Sequence, residues 1–218
     1  MLSPISPLAF NKRKAVRLTD EFNPVITCKE AFTMTKNAAR SLLPSDHFRG
    51  SSNATVMLLE YGDFECHRCV AAFHTLKDAL HWLDDSVCFV FRHFPDIEKH
   101  SHALSAAQAA EAAGSQGKFW DMHDSLFSNS PNLADPQLVR YAEQLGMTVD
   151  LFNREMVEHT HTGKVNDDCT AAAEQGVDET PAFFINGVQY KGDWDLDSLL
   201  DAIEDAGVRF AEQRAKHY

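Results

Sequence analysis

The chain has 218 residues, of which 44% are hydrophobic and 24% charged, and its formal net charge is −12. That length and composition suit a folded chain with a substantial core, and exclude a disordered one. The acidic balance excludes a general nucleic-acid binder, which needs a basic face against phosphates, and the longest apolar runs are too short to span a bilayer.

The charge is unevenly spread. Residues 1–50 hold eight Lys/Arg against four Asp/Glu, whereas residues 51–218 hold twelve against twenty-eight. With Pro4, Pro7, Pro24 and Pro44 scattered through it and no sustained period, the segment 1–50 is expected to be an extended basic arm. Such an arm has an acidic body to dock on, or a partner subunit, which gives a route to a homodimer. Within it RSLLP, 40–44, is the expected edge strand, and RGSSNA, 49–54, reads as a linker. The opening MLSPISPLAFNKRKAVRLTD has no continuous apolar stretch of the secretory kind, so a cytoplasmic location is expected.

TVMLLEY, 55–61, is a short apolar run of the kind that forms a strand buried on both faces. Phe73, Leu76, Leu80 and Leu83 then recur at helical steps, with Val70 leading. VCFVFRHF, 87–94, is β-branched and aromatic and stops at Pro95. Together they predict a βαβ unit with parallel strands. From 101 to 175 only helical periods remain: an Ala-rich helix capped by Ser101 and ending at Gly114, then helices over 118–128, from Pro136 to Gly146, over 149–159 and from 164 to Gly176. AFFINGVQY, 182–190, is a hairpin turning on Asn186-Gly187, and the last helix uses Leu196, Leu199, Leu200 and Ile203 and is expected to stop at Gly207. The organisation is thus an α/β unit split by helices: 51–98 as its first half, 99–176 as the insertion with its connecting helix, and 177–210 as its second half.

Chemistry concentrates in FECHRC, where Cys66 and Cys69 straddle the junction of the first strand and helix. A cysteine at a helix N-terminus meets unpaired N–H groups and the positive end of the helix dipole, which favour thiolate over thiol. His67 and Arg68 add positive charge. Cys69, one turn inside, lacks that help. The asymmetry makes Cys66 the nucleophile toward a disulfide and Cys69 the thiol that resolves the mixed disulfide. Two rivals stand beside this. One takes the pair as inert buried thiols, and the other as ligands in a Cys₂His₂ zinc site with two of His67, His93, His100 and His102, although no second CxxC or HxxxH completes one. Cys88 reads as core, and Cys28 and Cys169 as spectators; five cysteines without repeated spacing do not form a secreted disulfide framework.

VMLLEYGDFECHRC, HFPDIEKHSHALSAAQAAEAAGSQGKFWDMHDSLF and TPAFFINGVQYKG, in that order, resemble the DsbA-like branch of the thioredoxin superfamily over about residues 40–205. The resemblance implies a thioredoxin fold, β-α-β … β-β-α, with a helical insertion between the halves, and a protein-disulfide oxidoreductase whose redox centre is the Cys66–Cys69 pair. It further implies that Thr180-Pro181 is a cis-proline segment positioning substrate, and that Glu60 is an acidic residue beneath the pair that takes the resolving thiol's proton. No cofactor or metal is implied. The expected partners are a disulfide- or thiol-containing protein or small molecule and an unidentified electron donor or acceptor, with no nucleic acid and no membrane. The sequence departs from the branch between its cysteines, where His67 and Arg68 replace a Pro-His pair; their charge favours an oxidising couple, while the missing leader suits a reductant or isomerase. The alternatives are a glutathione-dependent transferase or isomerase of the same fold, which usually lacks the second cysteine, and a non-catalytic binding or metal-binding module.

Overall fold

The computed structural model describes residues 41–193 and 195–215; the expectations for the arm's first forty residues, Cys28 included, lie outside them. Among the described residues the elements run β1 (His47–Gly50), β2 (Val56–Gly62), α1 (His67–Leu83), β3 (Val87–His93), α2 (Ala103–Gly114), α3 (Phe119–Asn129), α4 (Asp135–Gln144), α5 (Val149–Val157), α6 (Thr162–Glu174), β4 (Ala182–Ile185), β5 (Val188–Gln189) and α7 (Leu196–Ala215). A short 3₁₀ turn, Asp84–Ser86, joins α1 to β3. The strands form one sheet in the order β1-β3-β2-β4-β5. The expected βαβ unit is present, with β2 and β3 parallel and Glu60 opposite Phe91, and every other pairing is antiparallel.

Strand alternation sorts the core. Val56 and Leu58 of β2 and Val87, Phe89 and Phe91 of β3 face α1, α7 and the insertion, whereas Leu59, Tyr61, Cys88 and Val90 face the other way, against Val165, Cys169 and Ala172 of α6. Glu60 and Gly62 share the parity of Leu58 and so lie on the α1 side. Cys88 is a buried core residue, as its place in the strand predicts, whereas Cys169, expected to be a spectator, is engaged in a disulfide bond. Helix α2 explains its alanines by burial on nearly all sides: seven of them are at most 1% exposed, and small side chains let neighbouring elements approach it closely. Its two buried polar groups are both bonded, Gln108 donating to Thr162 Oγ1 at 3.1 Å and Glu111 accepting from His47 and His93 at 3.0 and 2.8 Å.

Three local expectations are corrected. The edge strand is His47–Gly50, not 40–44, because Arg92 grips Asp46 through two oxygens at 2.7 and 2.8 Å in a fully buried ion pair, so the chain joins the sheet just after Asp46. Helix α2 is preceded by His102 at its cap and not by Ser101; Glu65 accepts both the His102 N–H and its ring Nδ1–H. Helix α7 runs through Gly207 to Ala215, because Gly207 keeps ordinary helical backbone, and a Cβ there would meet Val56 Cγ2 at an ordinary contact distance of 3.4 Å. The sequence suggests a stop at that glycine, but a glycine with a negative φ can sit inside a helix as well as past its end. The hairpin is as read: Asn186 and Gly187 both have positive φ, 48° and 77°, and the Asn186 side chain accepts from Met57 N–H at 2.8 Å.

Candidate active site

Both cysteines lie at the head of α1. Cys66 occupies the cap position: its N–H donates to Asp63 O at 3.2 Å, and its carbonyl accepts from Val70 N–H at 3.0 Å, opening the helix. A side-chain acceptor at this position collects the free N–H groups of the first turn. Sulfur is that acceptor here. The Cys69 thiol hydrogen bond does most to draw the Cys66 ionisation down, against the cost of burial; Thr180 and the N–H groups of Cys69 and Arg68 assist, and the thiol reaches about 4 from an ordinary 9. Cys69 is shifted the opposite way. Burial pushes it well above the ordinary range, and its bond to Cys66 and the charge of Glu60 push further.

Glu60 is 1% exposed and its Oε1 has no hydrogen-bond partner. Burial first, then the negative charge of Cys66, raise its carboxyl from 4.5 to about 8. A carboxyl with that ionisation is able to exchange a proton near neutral pH. Gly62 makes room for it: a Cβ there would stand 2.5 Å from Phe91 Cε2 and 3.0 Å from Glu60 Oε1.

The Thr180–Pro181 peptide bond is cis, and Thr180 O accepts from the Cys66 thiol at 3.5 Å. Of the two residues between the cysteines, His67 is exposed, and Arg68 bonds Glu179 at 3.0 Å across the gap to the Thr180 segment. Arg68 also feels Cys66, so its charge is divided between a carboxylate and a sulfur. Beside them lies a groove of about 760 Å³, lined among others by Arg68, Thr75, Glu179, Pro181, Tyr190 and Lys191.

Sequence reasoning therefore named Cys66, Cys69, Glu60, Arg68, Thr180 and Pro181, which meet, and His67, which is at the helix start but turned to solvent. The four histidines weighed as metal ligands are dispersed: His93 on Glu111, His100 on Asp63, His102 on Glu65 and His67 exposed. Among the described residues no group of three or more His, Cys, Asp or Glu is placed to hold a metal ion. Missed was Asp63, and His100 is named from the sequence only as a metal ligand; their contact spans 37 residues and leaves no periodic signal.

The family model described as Thioredoxin matches residues 43–205. The structure of Wolbachia pipientis alpha-DsbA1 is similar with a TM-score of 0.70 at 24% identity, over 82% of this chain and 99% of that one. Oxidised BdbD from Bacillus subtilis gives 0.67 at 21% identity, over 78% and 96%. These likenesses show a DsbA-like fold. Two curated relatives are the Na(+)/H(+) antiporter NhaA 1 of Mycolicibacterium vanbaalenii, 39% identical over 75% of this chain and 27% of its own length, and NhaA 3 of Salinispora tropica, 38% identical over 78% and 26%. The chain spans about a quarter of the length of those relatives.

Proposed function

This chain belongs to the thioredoxin family, and from that premise we propose that it is a thiol–disulfide oxidoreductase working through Cys66 and Cys69. The observation that carries the proposal is the opposed tuning of two thiols on one helical turn, Cys66 drawn down to about 4 and Cys69 pushed up. The Cys66 thiolate attacks one sulfur of a substrate disulfide, forming a mixed disulfide and expelling the other sulfur as a thiolate that takes a proton from solvent. In the mixed disulfide the Cys66 charge that helps hold Glu60 protonated is gone, so Glu60 in its ionised form takes the Cys69 proton and the Cys69 thiolate attacks Cys66 Sγ. That step releases the second substrate sulfur and closes the Cys66–Cys69 disulfide. The substrate gains two electrons and the cysteine pair loses two; the reverse sequence oxidises a dithiol.

The couple needs no further cofactor in this scheme. Thr180 and Pro181, with the adjoining groove, are assigned to hold the substrate chain, and a second dithiol or disulfide is the electron partner. Ion transport, named for the curated relatives, is not carried over: the match covers about a quarter of their length, and no described helix is long and apolar enough to cross a membrane.

Replacing Cys69 by Ser tests the proposal. With a disulfide-bearing peptide or insulin, Cys69→Ser should accumulate a covalent adduct at Cys66 that dithiothreitol dissolves, whereas Cys66→Ser should not. Absence of any adduct refutes it.

A further inference from the structure

The loop that carries Cys66 is fastened at one buried carboxylate. Asp63, three residues before the cysteine and with a fully buried side chain, accepts from Glu65 N–H at 2.8 Å, from Asp96 N–H at 2.9 Å and from His100 Nδ1–H at 2.7 Å. The last two donors belong to the loop between β3 and α2. Only 22% of the His100 side chain is exposed, so its ring is packed as well as bonded.

With Nδ1–H committed to Asp63, the proton that comes and goes on His100 is the one on Nε2. We propose that His100 is a positioning residue for the Cys66 thiolate: bonded to the Asp63 carboxylate on the loop whose backbone holds the Cys66 N–H, its proton cancels a negative charge three residues from the sulfur, so that protonation of His100 and ionisation of Cys66 favour each other. The proposal deepens the oxidoreductase reading and takes Cys66 as the reactive thiol.

The groups facing His100 agree with this. Asp63, Glu65 and Cys66 lie on the side of the β2–α1 loop, and all three favour the imidazolium against the opposing effect of burial, so the ring's ionisation is raised. Glu98, Lys99 and His102 belong to its own loop; Lys99 bonds Asp96, and His102 bonds Glu65. Glu60, Cys69, Arg68 and Thr180 also act on the sulfur, and the hydrogen bonds of Cys69 and Thr180 are the larger influences on it. The Asp63–His100 pair is net neutral when His100 is protonated and carries one negative charge when it is not, so protonation makes the surroundings of Cys66 less negative, from a different element than Arg68. Unlike the Arg68 guanidinium, the imidazolium loses its charge as pH rises.

Coupling between two sites is reciprocal: whatever His100 protonation does for the thiolate, the thiolate does for His100. Two measurements on reduced protein follow, neither of which uses substrate. The first is the Cys66 titration, read by thiolate absorbance and alkylation rate, in wild type, His100→Gln and His102→Gln. His100→Gln should move the Cys66 midpoint up by roughly half a unit to one unit, the scale of a partly exposed charge interaction, and slow alkylation below the midpoint roughly three- to tenfold. His102→Gln removes another contact between the same two loops and should leave the midpoint in place. The second is the ring titration of His100 by NMR, in wild type and in Cys66→Ser. It needs no change at His100, and its midpoint should fall in Cys66→Ser by the same increment.

Equal effects from both histidine variants would assign the result to loop packing and overturn the proposal. So would an unmoved His100 titration in Cys66→Ser. A chain that fails to trap substrate but keeps both shifts would overturn the oxidoreductase reading and leave this coupling standing.

Discussion

Replacing Glu60 by Gln is expected to make the reduced protein more stable, and increasingly so as pH rises. The carboxyl ionises at about 8 in the fold against 4.5 as the ordinary value, burial being the first cause and the Cys66 charge the second. Between those limits the folded protein holds a proton that the unfolded chain releases. When the native state binds more protons, stability falls with pH. The contribution of Glu60 is therefore intact below about pH 4.5 and is eroded on the way to about pH 8. At about 1.4 kcal/mol per unit, the loss at pH 7 is about 3 kcal/mol. Gln does not titrate, so the variant escapes it. Its amide introduces only a constant offset, because Glu60 Oε1 already lacks a hydrogen-bond partner. Urea unfolding of both reduced proteins at several values between pH 5 and 8 reads the difference as a slope. In the oxidised proteins the slope should shrink, since the thiolate is gone, but persist, since burial remains. Parallel stability curves for wild type and Glu60→Gln would refute the assignment of a neutral buried carboxyl. The same variant should slow resolution of the mixed disulfide by roughly 10²-fold or more if Glu60 takes the Cys69 proton.

Gly62→Ala should cost about 1–3 kcal/mol by urea unfolding, because its Cβ would sit 2.5 Å from Phe91 Cε2 in a filled core; an unchanged midpoint would mean that the ring moves aside freely. Arg92→Met leaves Asp46 buried without its guanidinium and should cost about 3–5 kcal/mol, and a loss below about 1 kcal/mol would contradict the buried pair. Reduced protein should gain stability over oxidised protein as pH rises from about 4 towards 9, the window in which Cys66 has lost its proton in the fold but keeps it in the unfolded chain; a gap that does not widen in thermal melts would argue against the thiolate.

The sequence reveals the cysteine pair because its setting is local. A continuous apolar run gives way to a three-to-four-residue stripe at FECHRC, and that change of period is the strand-to-helix junction. Glu60 is legible only through the resemblance; the run TVMLLEY reads as buried on both faces, and the structure adds that residues 58, 60 and 62 share the face toward α1. Features held by distant contacts are not written this way. The edge strand HFRG is four residues long, too short for alternation to show, and its place is set by Arg92 closing on Asp46. Gly207 carries the same letter as a helix stop, and only the backbone angle, which the letter does not fix, tells a stop from a helical interior.

Asp63 and His100 fall between these cases. Neither belongs to a motif of spacing, yet both follow the C-terminal ends of strands β2 and β3, whose parallel pairing was inferred from the βαβ unit. Parallel neighbours place the loops at their matching ends side by side; here Phe94 N–H donates to Gly62 O at 2.8 Å just past both strands. Here the Asp63 carboxylate, just past β2, meets His100 of the loop that follows β3. The topology was available from sequence, and the contact is its consequence. A search for residues that tune Cys66 has to include the loop after the second parallel strand as well as the two residues between the cysteines.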